Sequence, residues 1–349
     1  MKKLISIIFL LVLLSSCFKN DLSNNKVLNL GIPLKELIKK GVPVEKLYAA
    51  GASLKDLVDA GAPLSELLKL NGISLTRIIS CWPPQDKVIE LARNGTVSIE
   101  DLVNAGFGVG PLLRAGYSSQ LESTGITGFM FDSNGKKYRW VIIGNQTWMA
   151  EDLKTQNYSD GRLIPELSSS THLEFWQNNV KGYYYRDSYY DLRATPYYLN
   201  DAGFYYNWAA ASDGLINNPD TAIVTGVCPE GWHLPNYQEF DTLMNYVQLN
   251  WKPDSIGSAL RSVYGWSSYS GNGSDYYGFN ALPKGYFYSE IWGQIGDEAI
   301  YWTSNNDIGS SPENILYHAI FLKITPYYLA LSGSEKVEGR CVRCLKNKK

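Results

Sequence analysis

The first third of the chain repeats a ten-residue pattern in which a glycine is followed by three apolar positions at helical spacing. Glycines stand at every tenth position from Gly31 to Gly61, and apolar residues follow three, six and seven positions after each of them. This spacing places the apolar side chains on one face of a helix of about seven residues. Since so short a helix is not stable alone, the pattern predicts a small all-α repeat array over 31–118 in which neighbouring helices cover one another's apolar faces.

The ends of the repeat helices are also marked in the sequence. Ser53 and Ser98 suit the position before a helix, and Asp56 and Asp101 follow three residues later, which is the spacing of a helix cap. The glycine of the next unit suits the position just after the helix end. Two roles remain open for such an array: a spacer that holds the rest of the chain away from a membrane, and a docking surface for a protein partner.

Beyond about residue 126 the apolar period changes from helical to two, which predicts strands. Phe129 and Phe131 precede Ser133-Asn134-Gly135, and Asn-Gly between alternating segments is typical of a β-hairpin. Large aromatic side chains at strand ends are expected to fill the core, since each buried side chain of this size contributes roughly 1.5–3 kcal/mol. The tryptophans concerned are Trp148, Trp208, Trp232 and Trp302.

The stretch from Cys228 to Phe240 predicts a turn followed by a helix. Asn236 and Glu239 have the spacing of a capping box. Apolar residues then recur at helical spacing at Phe240, Leu243, Met244 and Val247, which predicts a helix with one buried face.

The amino end has the pattern of an export signal. Lys2 and Lys3 precede an apolar run that is too short to span a bilayer permanently. The run ends at Leu14-Ser15-Ser16-Cys17, which resembles a bacterial lipobox. We therefore expect residues 1–17 to be a lipoprotein signal with lipid attached to Cys17, and 18–30 to be a polar tether. Several acyl chains on one residue suffice for stable anchoring. Charged residues soon after Cys17, Lys19 and Asp21, are similar to the export signal of surface-displayed Bacteroidetes lipoproteins, and this resemblance implies an outer-membrane protein that faces the cell exterior.

Composition and motifs exclude some functions. A net charge of −2 and a pI near 6.0 do not favour a nucleic-acid partner. The three histidines, His172, His233 and His318, are scattered, and the sequence contains no GxSxG, HExxH or P-loop motif. We predict no catalytic residue and no metal ligand, and we expect His233 to be a packing residue.

Six motifs occur in an order that resembles the Fibrobacter succinogenes major paralogous domain family, abbreviated FISUMP. They are IGNQTWMAEDL from Ile143, YYNWAAA from Tyr205, CPEGWHLP from Cys228, GFNALPKGY from Gly278, YWTS from Tyr301 and VRC from Val342. The resemblance covers 126–346 and implies an α+β fold similar to C-type-lectin-like domains, with twisted antiparallel strands and two helices. It also implies a secreted protein or lipoprotein, and carries no established activity. The chain departs from the family in a long, tyrosine-rich insert at about 155–200 and in Cys341.

Export to an oxidising compartment favours disulfides. We expect Cys228 to pair with Cys344, which ties the loop before the helix to the last strand. Cys81 and Cys341 can pair with each other or remain as thiols. Cys341 and Cys344 also have CxxC spacing, but the alternation of 337–345 predicts a strand, on which residues three apart face opposite sides, and a second pair of zinc ligands is missing.

The resulting hypothesis is a non-catalytic binding or adhesion module with a glycan or a surface protein as its ligand. Exposed aromatic rings would stack on sugar faces, and the alternative is that these rings cover the domain's own surface. No cofactor is expected; calcium-dependent sugar binding occurs in related folds and stays an alternative, although the Glu-Pro-Asn and Gln-Pro-Asp motifs are missing. Two other hypotheses are a docking protein that acts through the repeats and an enzyme related to the formylglycine-generating enzymes. The candidate ligand-binding residues are Tyr184, Tyr185, Tyr189, Tyr190, Tyr276 and Tyr277.

Overall fold

The computed structural model describes residues 31–167, 181–185, 203–215, 222–288, 291–307 and 318–348. Cys17, Tyr189 and Tyr190 lie outside the described residues. The chain forms two compact units, Met1–Phe107 and Gly108–Lys349. The fold class is α+β, with a helical array over residues 34–123 followed by a curled antiparallel sheet domain.

The repeats form short helices, as their period predicts. Alternate helices pack against each other, α2 on α4 and α4 on α6, and likewise α3 on α5 and α5 on α7. The central leucine of each decapeptide is buried in this stack, for example Leu47, Leu57 and Leu67. The helices are α1 (Leu34–Lys39), α2 (Val44–Ala49), α3 (Leu54–Asp59), α4 (Leu64–Leu67), α5 (Leu75–Ile79), α6 (Gln85–Arg93) and α7 (Ile99–Asn104).

The predicted caps are present at both ends of these helices. The Ser53 side chain accepts a hydrogen bond from the backbone N–H of Asp56, and Ser98 with Asp101 forms a complete capping box. Gly61 ends α3 with a φ of +82° and has open space around its Cβ position. A side chain would fit there, but the left-handed backbone favours glycine.

The last two repeat helices belong to the second unit. They are α8 (Val109–Arg114) and α9 (Ser118–Ser123), and α9 packs against strand β1 (Thr127–Phe131). Gly110 explains this placement, because a Cβ atom there would lie 1.7 Å from the Asp275 carbonyl oxygen. Its backbone N–H donates to the carbonyl of Tyr276 at 3.1 Å. The absence of a side chain therefore allows α8 to lie directly against this loop.

The second unit is built on a five-stranded sheet in the order β1-β2-β3-β12-β6 and a three-stranded sheet in the order β11-β10-β9. The strand pairs within both sheets are antiparallel. The strands after β1 are β2 (Lys137–Ile143), β3 (Gln146–Met149), β4 (Tyr184–Tyr185), β5 (Tyr205–Tyr206), β6 (Trp232–His233), β7 (Tyr286–Tyr288), β8 (Ile291–Gly293), β9 (Ala299–Asn306), β10 (His318–Ile324), β11 (Leu329–Glu335) and β12 (Leu345–Lys346).

The hairpin predicted from Asn134-Gly135 joins β1 to β2, with Thr127 opposite Val141 in the register. Gly135 has a φ of +76°, the conformation that this turn requires. Two further two-stranded ribbons, β4-β5 and β7-β8, complete the described sheets.

The other described helices of the second unit are α10 (Trp208–Ala211) and α11 (Tyr237–Asn250), followed by a 3₁₀ turn at Ile256–Ala259. The capping box of Asn236 and Glu239 at the start of α11 is confirmed. The ring of Phe240 on α11 stacks on that of Trp148 with a centroid distance of 4.9 Å. The burial of Trp148, Trp208, Trp232 and Trp302 confirms that these tryptophans fill the core.

The structure contains the Cys228–Cys344 disulfide, with the two Cα atoms 5.9 Å apart. It closes a loop of 116 residues and ties the turn before β6 to the base of β12. Cys81 and Cys341 are buried thiols. Within the residues that the structure describes, no helix has the length and apolar character needed to cross a membrane.

Candidate functional site

Two of the tyrosines predicted to bind a ligand are buried, and the prediction is wrong for them. Tyr184 is 4 % exposed and stacks on Phe204, with its hydroxyl donating to Glu166 at 3.0 Å. Tyr276 is 3 % exposed and packs against Trp251 at a centroid distance of 5.0 Å. Both rings fill the interior of their own unit, so neither presents a face to a sugar.

Tyr185 and Tyr277 are partly buried. Tyr185 stacks on Phe287 at a centroid distance of 4.5 Å. Tyr277 meets Tyr246 edge to face at 5.7 Å, and burial raises the pKa of its hydroxyl. Each ring therefore packs against another aromatic ring of the second unit. Tyr269, from the same loop as Tyr277, is by contrast 83 % exposed.

A polar cleft of about 580 Å³ lies on the second unit. Its walls come from α8, from β2, from the segment 150–154 after β3 and from the loops 263–264 and 275–282, with Arg343 beneath them. Charged side chains dominate this lining: Arg114, Arg139, Glu151, Asp152, Lys154, Asp275 and Arg343. Since a titratable group with a shifted pKa in a cleft marks a candidate functional site, and the pKa of Asp275 in this lining is raised, the cleft is the best candidate for a functional site.

Arg343 is fully buried at the base of the cleft. Its Nε donates to Asp152 Oδ1 at 2.6 Å, and its Nη groups donate to the carbonyl oxygens of Phe279 and of Asn280, the latter at 3.1 Å. Burial opposes the guanidinium charge, but Asp152 and the hydroxyl of Tyr301 raise the pKa of Arg343 above its ordinary value. Arg343 therefore stays charged, and its bonds to Asp152, Phe279 and Asn280 hold the cleft loop to the base of β12.

Arg114 and Asp275 form the second charged pair. Arg114 Nη1 lies 3.2 Å from Asp275 Oδ2, and its Nη2 donates to the carbonyl of Ser274 at 2.8 Å. Burial raises the pKa of Asp275 to about 7, although Arg114 and the N–H of Asn280 oppose the shift. Burial also lowers the pKa of Arg114. At neutral pH the Asp275 carboxyl is consequently only partly ionised.

The backbone is strained at two positions of this cleft. Asp275 has a φ of +43° and Asn280 a φ of +53°, values that non-glycine residues rarely adopt. The N–H of Asn280 donates to Asp275 Oδ1 at 2.7 Å, and the carbonyl of Asn280 accepts from Arg343. These bonds hold the loop in its strained form, and strain of this kind concentrates at functional sites.

The rim of the cleft carries further charges and one ring. Arg139 on β2 donates to Ser118 Oγ at 2.9 Å, while Glu151 accepts from the Arg139 backbone N–H at 2.8 Å. Lys154 lies in the same wall. Tyr264 also lines the cleft and is 40 % exposed.

The arrangement of the cleft suits hydrogen bonding to a polar ligand.

His233, which could be mistaken for a base, is buried outside this lining. Its Nδ1 lies 2.7 Å from Asn347 Oδ1, and its Nε2 lies 3.0 Å from both carboxylate oxygens of Glu239. It is a packing residue, as expected. Among the described residues, no group of three or more histidine, cysteine, aspartate or glutamate side chains is placed to hold a metal ion.

Sequence reasoning missed the cleft residues. Arg114 lies in the last repeats, Arg139 in a strand and Asp275 in a loop, so no local spacing connects them. The family motifs contain Asp152, Asn280 and Arg343, but the sequence alone assigns these three residues to no site. One signal in the sequence could have indicated the cleft. Three separate motifs each contain a polar residue at a position where core packing alone does not require one.

The fold and the cleft define an α+β domain whose charged cleft is held by a buried arginine. Residues 141–346 match the Fibrobacter succinogenes major domain, and this match covers more than half of the chain. The protein therefore belongs to the Fibrobacter succinogenes major domain family. No curated protein and no solved structure matches the chain.

Proposed function

We propose that this chain is a non-catalytic binding protein, anchored in a bacterial outer membrane through lipid on Cys17 and facing the exterior, whose second unit binds a glycan. The observation that carries the proposal is the polar cleft of about 580 Å³, in which charged side chains and the exposed ring of Tyr264 converge. Rings that stack on sugar faces and charged groups that bond hydroxyls are the physical means of such binding.

The structure of the cleft supports binding rather than turnover. Its deepest charges, Arg343 and Asp152, are paired with each other and are removed from solvent. The carboxyl of Asp275 is bonded to Arg114 and to the Asn280 N–H. A rigid site of this kind reduces the ordering cost of binding. Among the described residues that line the cleft, no nucleophile is bonded to a base.

The first unit serves as a spacer in this proposal. The central leucine of each repeat is buried within the helical stack, and the exposed positions of the first unit are largely polar or charged. The alternative, a docking array, predicts that deletion of 31–107 abolishes capture of a partner. The deletion must end at 107, because α8 and α9 belong to the second unit.

The test is a glycan-array and pull-down screen of the purified protein, with and without calcium. The proposal predicts glycan binding that survives deletion of 31–107 and is lost when the cleft is blocked. Absence of binding to every glycan on the array, together with recovery of a specific protein partner, would overturn the glycan proposal in favour of a protein-docking role.

The anchor is tested separately. Replacement of Cys17→Ser should abolish incorporation of labelled fatty acid and release the protein from the membrane fraction. Protease added to intact cells should degrade the unmodified protein. Protection from protease in intact cells, with digestion only after lysis, would place the protein on the inner side of the membrane.

A further inference from the structure

The exposed tyrosines of the second unit lie on two short segments, the loop 262–274 and the turn 325–328. Among the described residues, the other tyrosines of the chain are buried or half-buried, which is the usual state of this side chain. The exposed ones are Tyr264 (40 % exposed), Tyr269 (83 %), Tyr327 (64 %) and Tyr328 (45 %), and we call these four residues the tyrosine surface.

The loop 262–274 is held in one conformation by hydrogen bonds to buried groups. Arg261, which is itself buried, donates through Nη1 to the carbonyl oxygen of Ser270 at 3.2 Å. The hydroxyl of Ser270 donates to Asp297 Oδ1 at 2.6 Å. Tyr269 directly precedes this doubly bonded residue, so its largely exposed ring is presented from a fixed backbone.

The turn 325–328 is held beside the same arginine. The hydroxyl of Ser255 donates to the carbonyl oxygen of Pro326, which ties the turn to the stretch before Arg261. Burial lowers the pKa of Arg261, and Tyr327 is among the nearby groups that oppose this shift. The loop and the turn therefore meet at Arg261, which brings Tyr327 to the side of the molecule where the loop is anchored.

The composition of the two segments is typical of recognition loops and carries no charge. The loop contains serine, glycine, tyrosine and asparagine with one tryptophan and one valine, and the turn is Thr-Pro-Tyr-Tyr. Besides the tyrosines, the exposed side chains are Ser268 and Asn272. Tyrosine offers a rigid ring at low entropic cost, and serine and asparagine offer adaptable hydrogen bonds. Since neither segment contains a charged residue, the surface suits an uncharged partner that is rich in hydroxyl groups.

The loop also connects this surface to the cleft. Val263 and Tyr264, at its start, line the cleft. Tyr269 follows Tyr264 by five residues, so the Cα atoms of the two tyrosines lie at most about 18 Å apart. An oligosaccharide that leaves the cleft at Tyr264 can therefore extend to Tyr269.

Combining these features, and resting on the proposed glycan-binding function, we infer that the ligand is an uncharged polysaccharide whose chain leaves the cleft over Tyr264 and continues across Tyr269 and Tyr327. Each ring stacks on the apolar face of one pyranose, and Ser268 and Asn272 bond the sugar hydroxyls. A short glycan fills the cleft without contacting the outer tyrosines. Affinity consequently rises with the length of the chain.

The experiment compares neutral oligosaccharides of increasing length. Cello-, xylo- and manno-oligosaccharides, from disaccharide to hexasaccharide, are titrated into the purified protein by calorimetry, and the series that binds best is used for the variants. We expect the hexasaccharide to bind at least about tenfold more tightly than the disaccharide, because two further stacking contacts are made.

Variants locate the effect on the outer rings. Tyr269→Ala and Tyr327→Ala should each weaken binding of the hexasaccharide by about three- to tenfold and leave binding of the disaccharide unchanged. Tyr269→Phe should retain most of the affinity, since stacking needs the ring and not the hydroxyl. Phe131→Ala is the matched control, because this ring is 59 % exposed on β1, outside both segments.

Each other outcome counts against the inference. Equal binding of both lengths, or a length dependence that Tyr269→Ala and Tyr327→Ala leave unchanged, overturns it and leaves the glycan proposal intact. A loss in Phe131→Ala as large as that in Tyr269→Ala shows unspecific contact and also overturns it. Tyrosine variants that lose a specific protein partner but keep full glycan affinity assign the surface to that protein instead. Absence of binding to every neutral oligosaccharide overturns the inference, and the proposed glycan function fails with it only when charged glycans do not bind either.

Discussion

The buried pair of Arg343 and Asp152 should dominate the stability of the second unit. Both side chains are fully buried, and the contact between Nε and Oδ1 is 2.6 Å. Replacement of Arg343→Met leaves the Asp152 carboxylate in the interior without its cation. Asp152→Asn likewise leaves the guanidinium of Arg343 buried without its carboxylate. Breaking a buried pair from one side costs about 3–5 kcal/mol, because an uncompensated charge remains.

The double variant separates the pair from its surroundings. It contains neither charge, so the penalty for a stranded ion disappears, although the carbonyl groups that accept from Arg343 still lose their donor. We therefore expect Arg343→Met with Asp152→Asn to cost at least about 2 kcal/mol less than the sum of the single variants.

The measurement is urea unfolding followed by tryptophan fluorescence. Nine of the ten tryptophans lie after residue 107 and Trp82 alone before it, so the signal reports the second unit. The exposed pair Lys55–Asp59 on α3 provides the control, since removing a surface pair costs at most about 1 kcal/mol. If the two single costs add to within about 0.5 kcal/mol, the two side chains are energetically independent and the argument is refuted.

Three further predictions concern the rest of the molecule. Replacing Cys228 and Cys344 with alanine should lower the free energy of unfolding by up to about 5 kcal/mol, as measured in urea, because their bond closes a loop of 116 residues; an unchanged midpoint would contradict this. Burial raises the pKa of Asp275 from 3.8 to about 7 in the folded protein, so the contribution of this carboxyl to the free energy of unfolding is full below pH 4 and is lost as the pH rises to about 7. The loss is at most about 4 kcal/mol. Asp275→Asn should remove this dependence of stability on pH, as measured by melting curves across that range. Leu57→Ala should cost about 2–5 kcal/mol of array stability by circular dichroism, whereas Lys55→Ala should change little.

The repeat array was predictable because its information is local. A glycine, a cap and three apolar positions recur within ten residues, and each helix uses only its near neighbours in the sequence. The array's contribution to the second unit was not predictable in this way. Whether α8 packs against 275–276 depends on Gly110 and on a loop 165 residues further along the chain.

The tyrosines show the limit of composition as a guide. A run of tyrosines predicts rings that are either exposed or packed, and a strand of two residues such as β4 is too short for alternation to decide between them. Tyr184 is buried because Phe204 covers its face and Glu166 and Gln156 bond its hydroxyl. All of these partners are set by tertiary structure.

Features of the fold outside the cleft were predictable, but the cleft itself was not. Cys228–Cys344 and the capping box of α11 follow from chemistry that the residue types imply. By contrast, the rim charges of Arg114, Arg139 and Lys154 come from three elements, and only folding brings them to one side. A buried arginine beside an aspartate 191 residues away has no signature in a single sequence.

The central claim, that the second unit holds its ligand in this cleft, is tested most directly by filling the cleft. Val263 lines it and is partly exposed, so Val263→Trp should occupy the space that a sugar ring needs. Ile223→Trp, at a surface position outside the lining that is 67 % exposed, is the matched control. The measurement is the affinity of each variant for the best glycan from the array. We predict a loss of at least about tenfold, or about 1.4 kcal/mol, for Val263→Trp alone, with both melting temperatures unchanged; full affinity in the filled variant would contradict the claim.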